Sequence, residues 1–230
     1  MRFVKFWQTN RLKKELYCFN LKEYKRIKNM IDSFASRAAE WDSPEKVNMT
    51  GIFVRELLQH VELKKNWKGL EIGAGTGLVG LQVLSGINSL VFEDTSQSML
   101  EVLKGKLTEN ELIEIVHGEV FDYEKQDIDL VFSCMAFHHI PDIDKTLSHL
   151  AKITTQNATI VVGDIRTEDG SFHRFEPIPH QGFDTEQLSA QFKMAGFDVL
   201  SAHTYNVLSR ERIKGKVIDY EQFMLIARKC

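Results

Sequence analysis

From Lys68 onward, short apolar runs alternate with stretches whose apolar residues recur every three or four positions. The runs Lys68–Ile72, Ser89–Glu93, Leu112–His117, Ile128–Ser133 and Ala158–Gly163 are mostly rich in Ile, Val, Leu or Phe and read as buried strands. Between them, Leu78–Leu84 is apolar. Ser96–Leu107 sets Met99, Leu100, Leu103 and Leu107 on one helical face, and Ile143–Ile153 does the same with Ile143, Leu147, Leu150 and Ile153. Upstream, Ile31–Asp42 reads as a short helix. "VNMTGIFVRELLQHV" reads as a longer one, with Ile52, Val54, Leu57, Leu58 and Val61 on its apolar face. After Gly163 the rhythm changes. Asp184 can cap a helix that Gly196 closes, with Gln187 three residues on. "FDVLSAHTYNV" and "VIDYEQFMLIAR" then read as an antiparallel pair at one sheet edge. The alternation predicts an α/β fold: a seven-stranded, mostly parallel sheet with an antiparallel last strand and helices on both faces.

Composition narrows the class. At 230 residues, 43% apolar and 27% charged, the chain suits a single globular domain with a sizeable core. We read residues 31–230 as that domain and residues 1–30 as a basic extension. The sequence has no apolar run long enough to span a membrane and no secretory signal pattern. Cys18, Cys134 and Cys230 are scattered and odd in number, which fits reduced thiols in a cytoplasm. The basic start would also suit an organelle transit segment. Residues 1–30 hold nine Lys/Arg and two Glu, and the whole chain is −3, which leaves −10 on the remainder. So acidic a body is a poor match for a phosphate backbone, and the leader reads as a solvated helix packing its aromatic side inward.

The densest chemistry is "GLEIGAGTG", Gly69–Gly77. Gly73, Gly75 and Gly77 follow a strand and precede a helix, where they let a ligand approach backbone N–H groups. Gly75, Gly77 and Gly80 also satisfy the dinucleotide fingerprint, and Asp94 ends the next strand about twenty residues on, as a ribose partner would. No Lys-Ser/Thr follows the glycines, so a P-loop is excluded. Glu71 is the discriminating residue. A buried carboxylate at the end of a strand calls for a cation or several donors.

Four segments carry a resemblance. "LEIGAGTGL", "VFEDTSQSML", "HGEVFDYE" and "FSCMAFHHIPD" resemble, in order and spacing, the motifs of class I S-adenosylmethionine-dependent methyltransferases of the small-molecule type. The likeness covers about Phe34 to Lys229 and implies a Rossmann-like doubly wound sheet with S-adenosylmethionine as cofactor. It further implies that Glu71 lies near the cofactor's amino group. The backbone of Gly73, Ala74 and Gly75 would lie against its methionine and ribose, and Asp94 would hold the ribose hydroxyls. Thr95 and Met99 would flank the adenine, Glu119 would accept from its amino group, and the Val120 N–H would reach a ring nitrogen. Ser133 would lie under the sulfonium, with Met135 lining the site and Trp41 covering it. Glu119 stands where Asp is usual in the family.

His138 and His139 follow the fourth strand on the ligand side of the sheet, and Asp164 ends the fifth strand. His173 and His180 lie in "EDGSFHRFEPIPHQGF", a loop expected to wall the same edge. His138 and His180 are the candidate proton acceptors, with His139 and His173 beside the substrate. Their spacing matches no compact ligand set, so no metal is expected. The "SCMA" segment is not the Pro-Pro-aromatic set of amino-methylating nucleic-acid enzymes. The expected substrate is a small-molecule acceptor, on a monomer or homodimer. The alternatives are an RNA or protein methyltransferase using the basic leader, an NAD(P)-dependent reductase, and a non-catalytic cofactor-binding subunit. Against the second, neither Tyr123 nor Tyr205 has a Lys four residues on.

Overall fold

The computed structural model describes residues 32, 34–108 and 112–230. The basic leader, with Lys13, Lys14, Lys25, Arg26 and Cys18, lies outside the described residues, as does Ile31. The strands are β1 Lys68–Ile72, β2 Ser89–Asp94, β3 Ile113–His117, β4 Ile128–Cys134, β5 Thr154–Ile165, β6 Phe197–Ile213 and β7 Lys216–Lys229. They form one seven-stranded sheet in the order β3-β2-β1-β4-β5-β7-β6. The first five are parallel, and β7 runs antiparallel to both its neighbours. This is the expected Rossmann-like sheet, with the last hairpin at its edge. Strand order reverses between β1 and β4, which opens a crevice at the carboxyl ends of those strands.

The helices are α1 Pro44–His60, α2 Gly80–Val83, α3 Gln97–Lys106, α4 Ile143–Ile153 and α5 Thr185–Met194. Their starts follow local chemistry. Ser43, Ser96, Asp142 and Asp184 each accept a first-turn backbone N–H, and Pro44 opens α1 where its missing donor costs nothing. Two apolar layers flank the sheet. Leu147 and Leu150 of α4 and Phe192 of α5 pack on Leu70, Ile72, Val131 and Ile160. Phe53 and Leu57 of α1 and Leu100 and Leu103 of α3 pack on Leu90, Phe92, Leu130 and Phe132. Each fully buried side chain of this size contributes about 1.5–3 kcal/mol. Because side chains alternate along a strand, Leu70 and Ile72 fill the first layer and Glu71 points into the second.

The differences from expectation have local causes. The short helix expected over Ile31–Asp42 is not seen among the described residues. Among its described residues only the 3₁₀ turn Ala38–Glu40 is helical. Asp32 instead accepts from Phe34 N, Ser98 N and the hydroxyls of Ser96 and Ser98, which pins the segment across the start of α3. On α1 the buried residues are Thr50, Phe53, Val54 and Leu57, whereas Leu58 is 49% exposed. Phe53 faces Gly163, whose missing Cβ leaves room for the ring; an added Cβ would lie 2.4 Å from Phe53 Cε2. The helix after the glycine loop begins only at Gly80, because Gly73, Gly75 and Gly77 all have positive φ. The last hairpin outruns the sheet. Pairing of β5 with β7 stops at Ile165↔Gln222, while β6 and β7 stay paired out to Ile213↔Lys216. This ribbon is fastened to the body by Tyr220 Oη with Ser171 Oγ at 2.7 Å, by Arg210 with Glu45 at 2.7 Å, and by Arg212 stacked on Phe172.

Candidate functional site

The glycine loop is built on carboxylates. Glu71 is 3% exposed under the loop. The backbone N–H of Gly80 donates to its carboxyl group, and Oε2 has no partner. Glu93, equally buried, accepts from Gly73 N at 3.4 Å. Asp94 accepts from Gly75 N at 2.6 Å and from Ser96 N at 2.7 Å, which folds the loop against the end of β2. Burial holds all three carboxyl groups above the ordinary carboxylate range, and Asp94 adds repulsion to the other two. Among the described residues no Lys or Arg pairs with any of them. The arrangement is a cluster of acidic groups beneath donor N–H groups, whose ionised forms a cationic ligand would favour.

The remaining loop residues are distributed as follows. Ala74 is buried and gives its N–H to Glu93 O. Gly77 leaves room for Leu103, whose Cδ1 would lie 2.5 Å from an added Cβ. Thr95 is exposed and Met99 is buried. Glu119 is exposed at the turn after β3, where its N–H donates to Asp122 Oδ2, and the adjacent Val120 is buried. Ser133 is buried and donates to Ile72 O at 3.1 Å, bracing β4 on β1. Met135 has φ 57° and its sulfur accepts from Gln222 Nε2. Trp41 stands over the loop: its Nε1 is 3.9 Å from the position of a Cβ on Gly75. Phe34 meets Trp41 edge-on at 5.5 Å and His139 at 6.2 Å, so the 34–41 segment bridges the glycine loop and the histidines.

The histidines sit on the other wall. Gly73 touches Ala136, and the turn Phe137–His139 follows directly. His138 is buried and tightly held. Its Nδ1 pairs with Asp164 Oδ1 at 2.7 Å, its backbone N–H donates to Asp164 Oδ2 at 3.0 Å, and its Nε2 meets His173 Nε2 at 3.0 Å. His139 stacks on His138 at 4.2 Å and faces His173 at 5.3 Å. Desolvation and the adjacent imidazoles push His139 down to about 3, although one edge of its ring reaches solvent. Burial, followed by His138 and Arg212, pushes His173 down to about 4. Both rings are therefore uncharged at neutral pH. His180 is tied to the backbone: Nε2 lies 2.9 Å from Ile140 O, and its N–H donates to His138 O at 3.2 Å. It staples the 171–183 loop onto the His138 turn.

Sequence reasoning reached Glu71, Asp94 and all four histidines but missed Glu93 and Asp32. The Glu-Asp doublet closing β2 was the available signal for Glu93. Asp32 gave none, because its role depends on a contact with α3 made 64 residues away.

The sequence model of the family described as "Methyltransferase domain" matches residues 70–162. An uncharacterized methyltransferase of Bacillus licheniformis is 29% identical over 112 residues, which is 47% of this chain and 52% of that protein. One of Schizosaccharomyces pombe is 23% identical over 146 residues, 55% of this chain and 51% of that protein. The chain thus spans about half the length of these curated relatives. Among solved structures, the fold is similar to a methyltransferase in complex with the Haloferax volcanii Trm112 methyltransferase activator. The TM-score is 0.71 at 16% identity, covering 86% of this chain and 98% of that one. It is also similar to an S-adenosylmethionine-dependent methyltransferase from Aquifex aeolicus, with a TM-score of 0.64 at 16% identity, covering 85% and 98%.

Proposed function

We propose that this chain, whose residues 70–162 match the methyltransferase-domain model, is a class I S-adenosylmethionine-dependent methyltransferase that binds S-adenosylmethionine and transfers its methyl group to a small-molecule acceptor by in-line displacement. The observation that carries this reading is the set of three carboxyl groups at one glycine loop, Glu71 and Glu93 buried and Asp94 half-buried, with no cationic partner among the described residues. A ligand bearing both an ammonium and a sulfonium supplies the missing positive charge. A dinucleotide would bring its own diphosphate into the same anionic pocket, which argues against the reductase alternative. The unpartnered Glu71 oxygen fits the cofactor.

In this reading Glu71 and Glu93 face the cationic amino-acid end from below, and Asp94 takes the ribose hydroxyls. Trp41 roofs the crevice, with Thr95, Met99, Glu119 and Val120 on the adenine side. The cofactor supplies a methyl group already activated on sulfur. The protein aligns the acceptor and excludes water, for which positioning can contribute roughly 7–11 kcal/mol. The acceptor's nucleophile faces the histidine wall, with Ser133 and Met135 at the strand end between the two halves. His180 holds that wall in place. Thermal-shift measurements test the cofactor half: S-adenosylmethionine or its demethylated product should raise the melting temperature, and NADPH should not. Label transfer from methyl-labelled cofactor to a small-molecule panel, with RNA and protein run in parallel, tests the acceptor half. Label on RNA or protein alone would refute the small-molecule assignment.

A further inference from the structure

Three imidazoles from two distant segments converge beside the crevice. The ligand nitrogens of His138, His139 and His173 all lie within 4.8 Å of one another. We propose that they bind one divalent transition-metal ion, zinc or a neighbour of similar preference, with Asp164 fixing the innermost ligand.

Several independent features agree. The His138 and His173 Nε2 atoms stand 3.0 Å apart. Two nitrogens bound at the usual zinc distance on a tetrahedral ion stand roughly 3.3 Å apart, so the metal-free spacing is close to the bound one. His138 gives its Nδ1 to a carboxylate that is itself fully buried. That contact fixes the tautomer with the Nε2 lone pair turned toward His173, the carboxylate–histidine arrangement that orients metal ligands. Asp164 is further locked by the N–H groups of His138 and Ile165. With His138 Nδ1–H given to Asp164, the 3.0 Å contact between the two Nε2 atoms requires His173 Nε2 to be the donor in the metal-free protein. A metal ion takes the place of that proton, which moves to His173 Nδ1. The charge balance is mixed: Arg37 and Arg212 oppose a dication there, whereas Asp164 and Glu176 favour it.

Three protein nitrogens leave a coordination position open, as catalytic rather than structural sites do. The cluster lies beside the glycine loop, since the ligand turn starts just past the contact between Gly73 and Ala136, and in this proposal the open position faces the acceptor. The ion would take a hydroxyl or thiol of the acceptor and lower its pKa. The acceptor's proton leaves to solvent. The metal-held oxygen or sulfur then forms the new bond to the methyl carbon, and the electrons of the broken S–C bond stay on the cofactor's sulfur. This role rests on the methyl-transfer reading; the binding of metal does not.

Cobalt(II) titration of the full chain, stripped with chelator, separates the two. The expected result is one equivalent bound, with visible ligand-field bands of a low-coordinate site, displaced by zinc. His173→Ala should abolish the bands, and Asp164→Asn should weaken binding about 10- to 100-fold. Melting curves of the metal-free variants check that each still folds. If His173→Ala does not fold, His139→Ala, on an exposed ring, serves instead and should lower the affinity. A second cluster, Glu56 with His60 and His203, is the internal control. Absence of stoichiometric binding overturns the proposal. So does binding that survives His173→Ala and His139→Ala but is lost in His60→Ala. Stoichiometric metal with no methyl transfer to any acceptor would refute the functional reading and leave the site standing.

Discussion

Replacing Glu71 by Gln isolates the electrostatic claim at the glycine loop. The side chain is 3% exposed, its carboxyl group faces the Gly80 N–H, and Oε2 has no hydrogen-bond partner. Gln keeps the shape and the acceptor toward Gly80 and removes the charge. In the cofactor-free protein the substitution relieves a buried, unmatched group. A gain of about 1 kcal/mol corresponds to a rise of roughly 2–4 °C in melting temperature for a chain of this length. With cofactor present the sign reverses. A hydrogen bond to a charged group contributes about 1.5–3 kcal/mol, so affinity should fall roughly 10- to 150-fold. Melting curves without ligand and calorimetric titration with S-adenosylmethionine and its demethylated product give the two numbers. Unchanged affinity together with a melting temperature several degrees lower would refute the reasoning. Glu71 would then be a packing partner of α2 with no electrostatic task.

The other expectations are independent. The folded-state pKa values of Glu71, Glu93 and Asp94 lie above the unfolded values, so the folded state holds more protons between them. The metal- and cofactor-free protein should therefore lose stability as pH rises from about 4 through the raised values, and melts across that range should fall less steeply for Glu71→Gln. Asp94→Asn should weaken cofactor binding at least about tenfold, since a neutral amide replaces a charged acceptor of the ribose hydroxyls; unchanged calorimetric affinity would remove that contact. Gly80→Ala should destabilise even though Ala favours helix, because the new Cβ would lie 2.1 Å from Glu71 Oε2 and 2.4 Å from the Phe92 ring. The cost is about 1–3 kcal/mol against a helix gain of at most about 1 kcal/mol, measurable by urea unfolding. His180→Ala should lower turnover more than cofactor affinity, because it frees the loop that carries His173; equal losses in both would contradict this.

The sheet was legible because each central strand is a short apolar run bounded by turns, and that signal needs no tertiary information. Strand ends shifted where tertiary contacts extended them. Thr154 and Thr155 join β5 ahead of the apolar run, and Thr155 Oγ1 donates to Asp129 on the neighbouring strand. The face of α1 was misjudged because a periodicity argument treats Ile52 and Leu58 as equivalent to Phe53. Gly163, with no side chain, leaves the room that the Phe53 ring fills, and periodicity alone does not reveal it. At the site, Glu71 and Asp94 announced themselves as acids at the ends of apolar runs. The convergence of His138 with His173 did not, since 35 residues separate them and the ligand spacing exists only once the loop is folded. Likewise, nothing local in Ile31–Asp42 says that Asp32 will prefer the donors at the start of α3 to a helix of its own.

The overhanging end of the β6–β7 hairpin has an evolutionary corollary. A ribbon that outruns its sheet can lengthen or shorten by residue pairs without changing strand number, order or the layers beneath. The overhang from Val207 to Glu221 reaches one wall through Ser171 and Phe172 and the other through Glu45. The nucleotide-side half, β1 to β3 with its acids, is untouched by such drift. The architecture thus separates a half whose strands are all tied into the sheet from a ribbon whose length the sheet does not fix.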